Sequence, residues 1–146
     1  MRDRILRILL QALGLLLLAA ATVFTLLHWR SLPDAIPTHF NAAGLPESYG
    51  SKGSLVSLLI FGWVAYGLFT VLSYFPQAWN LPVKMPRAYQ IAGILMPVLG
   101  LVLALIFGWV SLCSALGRGL GAWFLPTVLA GIGVPVLILI VGSFRE

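Results

Sequence analysis

Four acidic and nine basic residues are all the formal charge in 146 residues, 9% of the chain where a soluble domain carries roughly a quarter. So little charge excludes an ordinary water-facing surface. A single cysteine, Cys113, excludes an internal disulfide. No Asp, Glu, Lys, Arg or His falls in the central part of any long apolar run. Such intramembrane groups normally mark proton and ion pathways, so their absence argues against a pump or a coupled transporter. Patterns of the Ser-His-acid, paired-cysteine or phosphate-loop kind are also missing, and the chain is therefore expected not to be an enzyme and to need no cofactor.

What fills the sequence is apolar, at 60% of residues. Four runs, 8–27, 55–75, 91–112 and 123–144, each reach the roughly 20 residues needed to cross a bilayer core. The expected fold is an all-α integral membrane protein, one domain over 1–146, built as a four-transmembrane-helix bundle. Arg2, Arg4, Arg7, Lys84, Arg87 and Arg145 fall on one side of these spans, and Arg30, Lys52 and Arg118 on the other. Basic residues are retained on the cytoplasmic side, which puts both termini inside the cell membrane and the loop 31–52 outside. The net charge of +5 then reflects topology and the lipid bilayer, not nucleic acid. Trp29, Trp79 and Trp123 stand at span ends, where amphipathic rings sit at headgroup level. A signal peptide is the weaker reading of the first run, because apolarity continues through Val23, Phe24, Leu26 and Leu27, beyond the length of a signal core.

Within the bundle, Gly100, Ala104 and Gly108 recur at four-residue spacing and predict a close helix crossing on the third span. The hexapeptide Leu-Ile-Phe-Gly-Trp-Val occurs at 59–64 and again at 105–110 on antiparallel spans, so that Gly62 and Gly108 could pack against one another. Pro97 and Pro135 interrupt the third and fourth spans, each freeing a carbonyl; tolerated kinks are the preferred reading over a broken-helix transport site.

The polar island 31–52 is dense in turn chemistry. Pro33 and Pro37 force Leu32 and Ile36 towards extended backbone, and Asp34 suits an Asx-turn. Asn41 to Gly44 predicts a second turn with Gly44 at positive φ, Pro46 adds another extended step, and Ser51 or Ser54 is placed to cap the second helix. Lys52 stands at that helix N-terminus, where the macrodipole disfavours a cation, and is expected to pair with Asp34 or Glu47. An ordered extracytoplasmic loop between helices 1 and 2 follows.

Leu32-Pro33-Asp34, Ile36-Pro37-x-His39-Phe40-Asn41, Gly44-x-Pro46 and Lys52 together resemble the signature of the amino-terminal membrane domain of SdpI-like immunity proteins, domain of unknown function 1648. Glu47 stands where that family usually shows aspartate. The resemblance implies a bacterial or archaeal membrane protein. Its best-known member protects a cell against its own secreted toxin and signals by capturing a transcriptional repressor at the membrane. On this reading Asp34, His39, Phe40, Asn41, Glu47 and Lys52 form a binding loop held in shape by Pro33, Pro37, Gly44 and Pro46. The partners are a secreted peptide toxin or another membrane protein, with a cytoplasmic repressor meeting 77–90, which holds Trp79, Pro82, Lys84, Pro86 and Arg87. The alternative is a metal-binding membrane protein, or a subunit of a membrane enzyme or transporter complex, with His28, Asp34, His39 and Glu47 as ligands. Their spacing matches no standard ligand pattern.

Overall fold

A computed structural model describes residues 2–75, 78 and 86–143. Four helices dominate: α1 (Arg2–His28), α2 (Gly53–Leu72), α3 (Pro86–Ala115) and α4 (Phe124–Ser143). Each contains a stretch long and apolar enough to cross a membrane: Asp3–His28, Gly53–Leu72, Gly93–Ala115 and Phe124–Gly142. These match the four apolar runs to within a few residues. Between α1 and α2 the chain adds what a helix-only reading omits, a two-stranded antiparallel hairpin of β1 (Ala35–Phe40) and β2 (Pro46–Ser51).

The spans have mostly apolar outer faces because lipid is their solvent, so the interior is recognised by small and polar residues more than by hydrophobicity. Helix α3 is central: it packs on α1, α2, α4 and β1. Leu18 of α1, Tyr66 of α2 and Ala104 of α3 form the buried mid-bundle core, flanked by Trp63 and Phe107. Polar side chains knit α1 to α2 around it. Trp63 Nε1 donates to Thr22 Oγ1 at 3.0 Å, and the Tyr66 hydroxyl donates to the Gln11 carbonyl. Pro97 and Pro135 are both buried inside helices that continue past them.

The predicted small-residue face divides between two neighbours. A Cβ on Gly100 would lie 3.4 Å from Phe69 Cβ of α2, and Ala104 is fully buried. Gly108 faces Leu17 and Ala21 of α1, with nothing nearer than 3.8 Å to a Cβ placed there. It lines an apolar groove of about 440 Å³ between α1 and α3. The expected glycine-on-glycine contact between the repeated hexapeptides is therefore replaced: a Cβ on Gly62 would fall 2.8 Å from Phe107 Cβ, the residue before Gly108. Helix rotation brings the bulky neighbour, not the glycine, to the crossing. A similar close approach occurs at Gly14, where a Cβ would meet the Tyr66 ring at 2.7 Å.

Because Phe107 Cβ is tethered to its backbone and cannot swing aside, Gly62→Leu is expected to force α2 from α3 and cost about 1–3 kcal/mol or more. Gly108→Ala should be close to neutral. Melting temperatures of the two variants in one detergent check this, a large drop for the first and little change for the second being expected.

Candidate functional site

The hairpin begins where α1 ends. Ser31 and Leu32 donate their amides to the His28 carbonyl, and Leu32 turns inward. Leu32 and Ile36 then pack with Leu55 of α2 and Ala115 of α3, beside Phe24 and Trp29. Ile36 is 1% exposed and Leu55 0%, so the base of the hairpin is anchored by a small apolar core. At that base the Lys52 amide donates to the Asp34 carbonyl at 3.0 Å.

The predicted Lys52 pairing resolves in favour of Asp34, with Nζ 3.0 Å from Oδ1. Glu47 is exposed on β2 and is not the partner. The ammonium also sits 5.7 Å from the Trp29 ring centre, a cation–π contact that adds to the compensation for a cation at a helix start. Asp34 is 96% exposed, so the ion pair contributes about 0.2–1 kcal/mol at most. Two local expectations are corrected here. Asp34 spends its carboxylate on Lys52, and the Asx-turn belongs to Asn41. Neither Ser51 nor Ser54 caps α2: Lys52 occupies the N-cap position without a side-chain capping bond.

At the tip, Asn41 organises the turn. Its Oδ1 accepts from the amides of Ala43 at 3.0 Å and Leu45 at 2.9 Å, while its carbonyl accepts from the Gly44 amide at 2.8 Å. Gly44 has φ +75°, the left-handed conformation expected of it. A further reason for glycine was not visible in the loop itself. The Gly44 carbonyl accepts from the Leu120 amide at 2.7 Å, and a Cβ on Gly44 would lie 2.6 Å from the Gly121 carbonyl oxygen. The hairpin tip thus rests backbone on backbone against the α3–α4 connection.

That connection is shaped to receive it. Gly117, at φ +63°, closes α3 with paired bonds from its own amide to the Ser114 carbonyl and from the Arg118 amide to the Cys113 carbonyl, a Schellman ending. Trp109 Nε1 donates to the Leu120 carbonyl at 3.1 Å and its ring lies 5.4 Å from that of Trp123. The signal for this platform was the run Gly117-Arg118-Gly119-Leu120-Gly121, three glycines between two helices.

The remaining site residues separate by role. Pro37 is fully buried, Pro46 is half-buried opposite Phe40 in the strand register, and Pro33 is exposed. His39 is exposed, its Nδ1 2.9 Å from Ser48 Oγ across the two strands. Glu47 and Tyr49, to either side of Ser48 on β2, are exposed as well. His28 stacks on Phe24 at 4.3 Å and bonds the Phe24 carbonyl through Nδ1 at 2.9 Å. The alternative metal set His28, Asp34, His39 and Glu47 is not assembled: among the described residues no three His, Cys, Asp or Glu come together as ligands. Trp79, Pro82, Lys84 and Arg145 lie outside the described residues, as do the side chains of Pro86 and Arg87.

Comparison with known proteins follows the same segment. Residues 16–65, which hold the second half of α1, the hairpin and the first two thirds of α2, match a family model described as domain of unknown function DUF1648. A protein of Archaeoglobus fulgidus, described as uncharacterized, is 30% identical over an alignment that takes in 68% of this chain. The chain spans 64% of that relative's length. No solved structure matches.

Gly44→Ala combines a strained φ with a clash against fixed backbone, and should release the tip from the Gly119–Gly121 platform. The expected readout is faster proteolysis at 41–45 and a melting temperature several degrees lower. Lys52→Met, which removes only an exposed pair and a cation–π contact, should move stability by about 1 kcal/mol or less.

Proposed function

We propose that the chain is a multi-pass protein of the cell membrane, with both termini cytoplasmic and the hairpin outside, and that it acts as an SdpI-like immunity or signalling module that recognises a secreted peptide through the hairpin. The observation that carries the reading is a division of labour within the loop. Leu32, Ile36, Pro37, Asn41 and Gly44 hold the hairpin on the helices, while His39, Glu47 and Tyr49 stand exposed on the paired strands. A fixed hairpin presenting an imidazole, a carboxylate and a phenol binds a peptide without first losing loop entropy, which favours recognition. The match of residues 16–65 to DUF1648 supports the importance of this segment, and the excess of basic residues at the opposite end supports the orientation.

The orientation is checked by thiol labelling after Cys113→Ala. Ala43→Cys, at the exposed tip, should react with an impermeant reagent in intact cells, and Val83→Cys, between the second and third apolar runs, should not; the reverse pattern refutes the topology. The activity is checked in a deletion strain of the source organism grown in conditioned medium from its parent. Wild-type chain should restore growth, and His39→Ala or Glu47→Gln should fail to do so at unchanged membrane level. If His39→Ala lowers abundance as far as Gly44→Val does, the imidazole is a structural group and the recognition site is misassigned.

A further inference from the structure

At the end of the bundle opposite the hairpin, α1 and α2 gather a polar cluster that span prediction passed over. Arg7 and Gln11 are one turn apart on α1 and meet the last turn of α2. Arg7 Nη1 donates to the Ser73 carbonyl at 3.3 Å, and its guanidinium carbon lies 5.3 Å from the centre of the Tyr74 ring. Gln11 Nε2 donates to Ser73 Oγ at 2.9 Å, and the Tyr74 hydroxyl donates to Gln11 Oε1 at 2.9 Å. Ser73 Oγ in turn donates to the Thr70 carbonyl at 2.6 Å.

The cluster is not chemically closed. Arg7 Nε and Thr70 Oγ1 are buried and lack any hydrogen-bond partner. Among the described residues the ion pair is Lys52 with Asp34, at the other end of the molecule, so no described carboxylate, Asp3 one turn earlier on α1 included, lies within ion-pair distance of Arg7. Arg7 Nε is shielded from solvent, so it is the Nη end of the guanidinium that can face a ligand; held in one orientation by a carbonyl and an aromatic face, that planar end is a preorganised receptor for a tetrahedral oxyanion. Its level in the bundle fits the same ligand. Arg7 lies near the start of the span Asp3–His28, and Ser73 and Tyr74 follow the end of the span Gly53–Leu72, the level at which a span of this length brings its ends to the headgroups. The exposed Arg4 precedes it on the same helix and adds to the positive potential.

We propose that Arg7, supported by Gln11, Ser73 and Tyr74, binds a phosphate group at the membrane surface, carried by an anionic phospholipid headgroup or as the free anion. This site is independent of the hairpin and of the function assigned to it.

The test measures the melting temperature of the purified full chain in neutral detergent, with added phosphatidylglycerol, with phosphatidylcholine at the same mole fraction, or with inorganic phosphate at constant ionic strength. Wild type should rise by several degrees with phosphatidylglycerol and not with phosphatidylcholine, which assigns a lipid; an equal rise with inorganic phosphate alone assigns the free anion. Arg7→Gln should lose that increment whatever its starting melting temperature, a difference that a purely structural arginine would not produce. Should Arg7→Gln not accumulate, Arg7→Lys, which keeps the charge but not the planar fork, must cut the increment by half or more. No increment in wild type with either anion, or an undiminished increment in the arginine variant, overturns the site.

Discussion

The hairpin between α1 and α2 and the connection between α3 and α4 both depend on the meeting of Gly44 with the Gly119–Gly121 backbone. A hairpin of two short strands is marginal by itself in water. Here one end is fixed by Ile36 and Leu32 against Leu55 and Ala115, and the other by the Leu120 amide on the Gly44 carbonyl. The second contact requires two backbones to approach within the radius of a Cβ, which only glycine permits on either side. The same contact joins the α1–α2 loop to the α3–α4 loop, so the hairpin also ties the two halves of the bundle together. Helix α4, which packs chiefly on α3, gains a second restraint through Trp123 and the platform that precedes it.

The helices obey a different rule. With lipid as solvent, burial of apolar area does not drive one helix onto another, and contacts are decided by close packing and interhelical hydrogen bonds. Gly62 on Phe107, Gly14 on Tyr66 and Trp63 on Thr22 are the specific expressions of that rule. Apolar side chains on the outer faces, and the open groove beside Gly108, are what such a bundle leaves to the lipid.

Much of this was legible in the sequence, because bilayer thickness imposes a length on every span and charge is excluded from its middle. The turn at Asn41 to Gly44 and the pairing of Lys52 were legible for a related reason: a left-handed glycine and a cation at a helix start each demand a local explanation. The strands were not. Ala35–Phe40 contains Pro37, Pro46–Ser51 contains Gly50, and neither segment alternates cleanly, so their pairing comes from the closed ends and not from strand propensity. The contact of Gly44 with Gly121 joins residues about half the chain apart and leaves no periodic trace. The polar stripe Tyr66, Thr70, Ser73 and Tyr74 did carry helical spacing, but its meaning needed the facing residues Arg7 and Gln11. The misplaced glycine pairing shows the remaining limit. Spacing identifies a helix face, whereas which residue of the neighbour meets it depends on a rotation that spacing does not encode.

The most direct test of the central contact is amide hydrogen exchange of the chain in detergent micelles, read residue by residue at the Leu120 and Leu45 amides. The Leu120 amide, bonded to the Gly44 carbonyl, and the Leu45 amide, bonded to Asn41 Oδ1, should exchange far more slowly than the exposed Ala42 amide. Exchange of Leu120 as fast as that of Ala42 would show that the hairpin does not rest on the α3–α4 connection, and the account of a docked, preorganised hairpin would fail.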